Sequence, residues 1–100
     1  MKNSDFFVQV VISRLNSKAT RERFLELTKE MYQWLLAQEG FISYEVFDNH
    51  PRWADKLVYQ NKEAAERINK LFMETELAKN MLDLIEPGFT LFMGRPVSHQ

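Results

Sequence analysis

Gly40-Phe41-Ile42-Ser43-Tyr44-Glu45-Val46-Phe47, then Asp48-Asn49-His50-Pro51-Arg52, then Trp53-Ala54-Asp55-Lys56-Leu57-Val58-Tyr59-Gln60 is the stretch that decides the fold. Phe41 to Phe47 and Trp53 to Tyr59 are rich in aromatic and β-branched residues, and the five residues between them carry the turn formers Asp, Asn and Pro, so the stretch reads as a β-hairpin. Strand alternation sets Trp53, Asp55, Leu57 and Tyr59 on one face of its second strand and Ala54, Lys56, Val58 and Gln60 on the other. A carboxylate thus shares a face with an indole and a phenol, and most of the polar and aromatic site candidates of the chain lie in this hairpin.

Upstream, Phe6 to Leu15 reads as a strand with Phe6, Val8, Val10 and Ile12 on one face and Phe7, Gln9, Val11 and Ser13 on the other. Ser17 or Thr20 then caps a long helix reaching Gln38, whose stripe is Phe24, Leu27, Met31 and Leu35, and Gly40 stands where a left-handed residue ends a helix. Downstream, Lys62 opens a second helical region. Thr75 caps a separate shorter helix, Pro87-Gly88 ends it, and Phe89 to Gly94 forms a last strand before a polar tail. The order strand, helix, strand, strand, broken helix, strand is the ferredoxin-like βαββαβ pattern of an α+β protein with an antiparallel four-stranded sheet, in a single domain spanning 1–100.

One hundred residues, 45% hydrophobic and 27% charged, suit one globular domain, and a monomer of this size buries only about 65% of the surface its unfolded chain exposes. Both faces of the first strand are apolar, yet the helices can cover only one, so a second subunit is expected against the other face. A net charge of -1 with interspersed signs gives no basic stripe for nucleic acid. No apolar run is long enough to cross a membrane, and Met1-Lys2-Asn3-Ser4-Asp5 has no apolar leader, so a cytoplasmic protein is the expectation. The absence of cysteine closes thiol chemistry.

The order of elements, the Glu39-Gly40-Phe41 junction followed by Tyr44-Glu45-Val46, and Leu57-Val58-Tyr59-Gln60-Asn61-Lys62-Glu63-Ala64-Ala65 resemble the antibiotic biosynthesis monooxygenase domain family over nearly the whole chain. The resemblance implies a dimeric α/β barrel, in which two ferredoxin-like subunits put their sheets face to face. It also implies cofactor-independent oxygenation of an aromatic or polyketide-type metabolite, without metal or flavin. In such relatives an Asn, a Trp and a Tyr take part; Asn49, Trp53 and Tyr59 stand in corresponding places, with Arg67 as the counterpart of a later Arg. The heme-degrading branch is not implied, because the Trp and His it uses have no equivalent between Ala64 and Glu86.

For oxygenation, the Asn49 amide and Trp53 indole N–H would donate to a substrate oxygen while the Tyr59 hydroxyl donates or accepts a proton. An aromatic core strand ending in an ordinary turn accounts for the same residues. His50 reads as a general base or as an exposed turn histidine, and Asp48, His50 and Asp55 do not form a metal-ligand pattern, so no metal is expected. A buried Asp55 must be neutral, paired with Arg14 or Arg52, or near an open strand end. Tyr44 is assigned to the side opposite Phe41, in a pocket or at the subunit interface. Phe72 and Met81, with Met73 and Leu77, are placed on the wall of a cavity for a flat apolar ligand. Alternatives are an isomerase or cyclase in which Asp55 or His50 moves protons without oxygen, and a non-catalytic metabolite-binding or stress-response protein.

Overall fold

A computed structural model describes residues 5–99; Met1–Ser4, read above for the lack of an apolar leader, and Gln100 lie outside the described residues. The elements are β1 (Phe7–Arg14), α1 (Arg21–Leu36), β2 (Phe41–Asn49), β3 (Arg52–Tyr59), α2 (Lys62–Met73), α3 (Glu76–Leu82) and β4 (Thr90–Gly94). The strands form one antiparallel sheet in the order β2-β3-β1-β4, so the chain is an α+β protein of the ferredoxin-like βαββαβ type. Among the described residues no helix is long and apolar enough to cross a membrane.

Each helix begins on a side chain able to replace a missing backbone partner: Thr20 accepts from the Arg23 N–H, Asn61 from Ala64 and Thr75 from Ala78. Thr20, not Ser17, is thus the cap of α1. The helix stops at Leu36 with Ala37 right-handed, so Gly40 is not its cap. Gly40 takes its φ of +95° in the turn into β2, where a Cβ would lie 2.6 Å from that of Ala64 on α2; lack of a side chain lets α2 settle onto the hairpin. The hairpin is tighter than its composition suggests, with only His50 and Pro51 between the strands. A bulge between Phe41 and Ser43 breaks the alternation, and both Phe41 and Tyr44 lie against Tyr32 of α1. Tyr44 is therefore on the same side as Phe41, beneath the helices.

Trp53, Leu57, Tyr59 and Phe7 face the helices and build the core with Phe24, Leu27, Met31 and Leu35 of α1 and Ala64, Ala65 and Ile68 of α2. Trp53 meets the edge of Phe24 at 5.0 Å between ring centroids and 81° between planes. On the opposite side of the sheet the register lines up Phe92, Val10, Lys56 and Glu45 in one row and Thr90, Ile12, Ala54 and Phe47 in the next. Among the described residues no helix covers these rows: Phe92 is 64% and Phe47 52% exposed, and a Lys56–Glu45 ion pair crosses the apolar surface. Sequence and structure agree that the sheet is apolar on both faces.

Gly40→Ala is expected to lower unfolding free energy by about 1–3 kcal/mol, since it adds backbone strain and a clash with Ala64. Gly88→Ala, at φ +86° with nothing within 4 Å of the added Cβ, should cost less. Urea titration of both variants checks the order.

Candidate functional site

Between the sheet and the helices lies a cavity of about 350 Å³. Its floor is Gln9, Val11 and Ser13 of β1 with Asp55 and Leu57 of β3; its walls are Phe24 and Met31 of α1, Asn69 and Phe72 of α2, and Ala78 and Met81 of α3. Met73, Leu82, Phe89 and Leu91 line it and are exposed, so the opening lies among them. The size suits a small ligand, and the lining is apolar except for a few side chains on one side.

Among the described residues Asp55 is the one charged residue of that lining. Burial raises its carboxyl from 3.8 to about 7, an effect the nearby Trp53 indole N–H partly opposes. That proximity stops short of a formed hydrogen bond: Trp53 Nε1 and Asp55 Oδ1 are both buried without a partner. Neither expected arginine reaches the carboxyl. Arg14 pairs with Glu86 at 3.4 Å, Arg52 lies on the surface, and Asp55 sits mid-strand, not at a solvated end. The Tyr44 hydroxyl is a third buried group without a partner, and burial first, then the Asp55 charge and Tyr59, hold it well above the usual phenol range.

A second polar feature was not singled out from the sequence. Tyr59, fully buried, directs its hydroxyl at Asn69 Oδ1 over a long 3.4 Å, and Asn69 Nδ2 donates to Gln9 Oε1. Burial also pushes the Tyr59 hydroxyl well above the phenol range, so it remains a proton donor at neutral pH. With its oxygen engaged, Gln9 has its amide nitrogen left for the cavity it lines. Gln9 was legible as the one amide on the inner face of β1, which it shares with Phe7, Val11 and Ser13; Asn69, on a helix with no strand partner to flag it, was not.

The structure divides the expected site residues. Asp55, Phe72 and Met81 line the cavity, while Trp53 and Tyr59 lie beneath its surface as core side chains with polar atoms directed at Asp55 and Asn69. Asn49 does not line the cavity: it lies in a separate groove at the hairpin end with Phe47, Arg52 and Ile12, a groove that Trp53 also lines. His50 is exposed in the turn, and Arg67 reaches the Glu39 carbonyl on the surface, away from the cavity. Among the described residues no group of three His, Asp or Glu side chains is placed to hold a metal ion.

No protein-family profile and no curated protein matches the chain. Solved structures do match in fold. A variant of SnoaB, a cofactor-independent oxygenase from Streptomyces nogalater, superposes with a TM-score of 0.77 at 14% identity over 93% of this chain and 96% of its own. A structure described as an antibiotic biosynthesis monooxygenase gives 0.73 at 12% identity over 92% and 99%. Rv0793 from Mycobacterium tuberculosis gives 0.71 at 13% over 94% and 97%. The chain therefore has the antibiotic biosynthesis monooxygenase fold.

Between pH 3.8 and about 7 the unfolded chain ionises Asp55 while the folded protein keeps the proton. Folding stability should therefore fall as pH rises through that window and level off above it. Asp55→Asn should flatten this component and be the more stable form above the window, by about 1–4 kcal/mol in denaturant titrations at several pH values.

Proposed function

We propose that this chain is a monooxygenase-like enzyme that acts on a compact, electron-rich aromatic or polyketide-type metabolite without metal or flavin, and that it works as a homodimer. The single observation that carries this is a sheltered apolar cavity whose one ionisable side chain, Asp55, has no protein partner for Oδ1. Such a chamber shields an electron-rich ligand from water, and a charge formed inside it is stabilised only by groups already in place. An activated methylene in such a ligand can supply all the electrons. The methylene carbon and one molecule of dioxygen become a carbonyl and one molecule of water: one oxygen atom stays on the carbon, and the other leaves with the two hydrogens. The fold shared with SnoaB, a cofactor-independent oxygenase, supports this chemistry.

Within this proposal Phe72 and Met81 grip the ring, Trp53 supports the Asp55 carboxylate from below, and Tyr59 orients Asn69 and Gln9. Asn49, His50 and Arg67 lie outside the cavity and take no part in the step. The open sheet face, with Phe92, Phe47, Val10 and Ile12 available for burial, supports pairing with a second copy. A second reading, proton transfer without oxygen as in an isomerase or cyclase, is favoured by Asp55 itself, since a carboxyl titrating near 7 can move a proton with no oxidant.

Oxygen consumption above the enzyme-free rate with anthrone, an aromatic ketone that carries an activated methylene, in chelator-treated and flavin-free buffer, tests the leading proposal. Uptake is expected, with Met81→Trp cutting it by about tenfold or more by filling the cavity and Asn49→Ala leaving it nearly unchanged. Turnover that persists under nitrogen favours the isomerase or cyclase, and neither reaction leaves a binding protein. Phe92→Lys should shift sedimentation from dimer to monomer.

A further inference from the structure

Asp55 and Gln9 border the cavity with polar atoms that the protein does not use up. Asp55 and Gln9 project from adjacent strands on the same face of the sheet, one register step apart: Asp55 pairs with Val11, and Gln9 with Leu57. A ligand atom lying over the strand pair has a carboxyl on one side and an amide on the other. The amide is oriented: Tyr59 donates to Asn69, Asn69 donates to the Gln9 oxygen, and the Gln9 nitrogen is what remains to face the ligand. Among the described residues no lysine or arginine lines the chamber, so none of them balances a second negative charge there.

We infer that Asp55 is the proton acceptor for a ligand hydroxyl and Gln9 the hydrogen-bond donor that holds the oxygen left behind, so that the cavity admits neutral hydroxylated aromatics and turns away those bearing a carboxylate or phosphate. This deepens the function proposed above and rests on it for the site, but not on any reaction with oxygen. The step is a proton transfer: the ligand O–H bond breaks, the proton bonds to Asp55, and the electron pair stays on the ligand oxygen, which accepts the Gln9 N–H. Asp55 and Gln9 touch the ligand; Asn69 and Tyr59 are positioning residues acting through Gln9, and Trp53 is one acting through Asp55.

The titratable groups facing Asp55 are few. Tyr44 of β2 and Tyr59 of β3 are phenols held neutral by burial, β1 offers only Gln9 and Ser13, and α1, α2 and α3 present no charged side chain to the chamber. A pH dependence of binding is therefore traceable to Asp55.

Naphthol and naphthoate binding to the full chain, followed anaerobically by calorimetry across the neutral range, tests the inference with oxygen chemistry out of play. Naphthol should bind more tightly as Asp55 ionises, since the carboxylate is the better acceptor, and naphthoate about tenfold or more weaker at the same alkaline pH. Asp55→Asn should make naphthol binding independent of pH and remove the bias against naphthoate. Gln9→Leu should weaken naphthol about tenfold while leaving the pH dependence in place. Naphthoate binding as well as naphthol to the native protein, or unchanged pH dependence in Asp55→Asn, overturns it, and the first of these needs no variant to fold. If naphthol binds as described but oxygen is never consumed, the oxygenase proposal fails while the Asp55 assignment stands; oxygen uptake undiminished in Asp55→Asn does the reverse.

Discussion

The architecture depends on the strict alternation of β3. Because side chains along a strand point to opposite faces in turn, Trp53, Asp55, Leu57 and Tyr59 must all enter the layer beneath the helices once any of them does. Trp53, Leu57 and Tyr59 are among the largest fully buried side chains, and together they fix which face is inward. Asp55 is carried inward with them, so a core too apolar for a carboxylate holds one at its centre. A one-residue slip of register would relieve that cost, but it would expose an indole, a leucine and a phenol, a larger loss.

Central β3 also orders the rest of the protein. It pairs with β1 on one side and β2 on the other, so the inward rows of all three strands continue one another, and α1 lies across them through Phe24. The opposite rows form a second apolar surface by the same alternation. One chain of this length supplies helices for a single face, which leaves the sheet as a half-finished sandwich.

Most of the fold was legible because its signals are periodic or local. The strand alternation of β1 and β3, the stripe of α1 and the Thr75 cap each survive in the structure, although α3 stops at Leu82 on the Asp83 cap, ahead of Pro87-Gly88, and Gly40 serves close packing and not capping. The site was legible only in part. Asp55, Phe72 and Met81 could be placed near a cavity from the face or stripe they occupy, but sequence spacing does not reveal that Asn49 lines a separate groove at the hairpin end. Asn69 and the bulge that turns Tyr44 inward depend on contacts between distant segments, which no local pattern encodes.

The break between α2 and α3 divides the chamber into parts of different kinds. Its polar atoms sit mainly on β1 and β3, locked by backbone ladders on both sides, whereas Met81, Ala78 and Leu82 belong to a seven-residue helix joined to α2 only through Glu74 and Thr75. Reactivity and shape are thereby assigned to separate pieces of chain. Exchanges on the short helix can resize the compartment for new guests while the reactive floor stays as it is, giving this scaffold a built-in route to diversification.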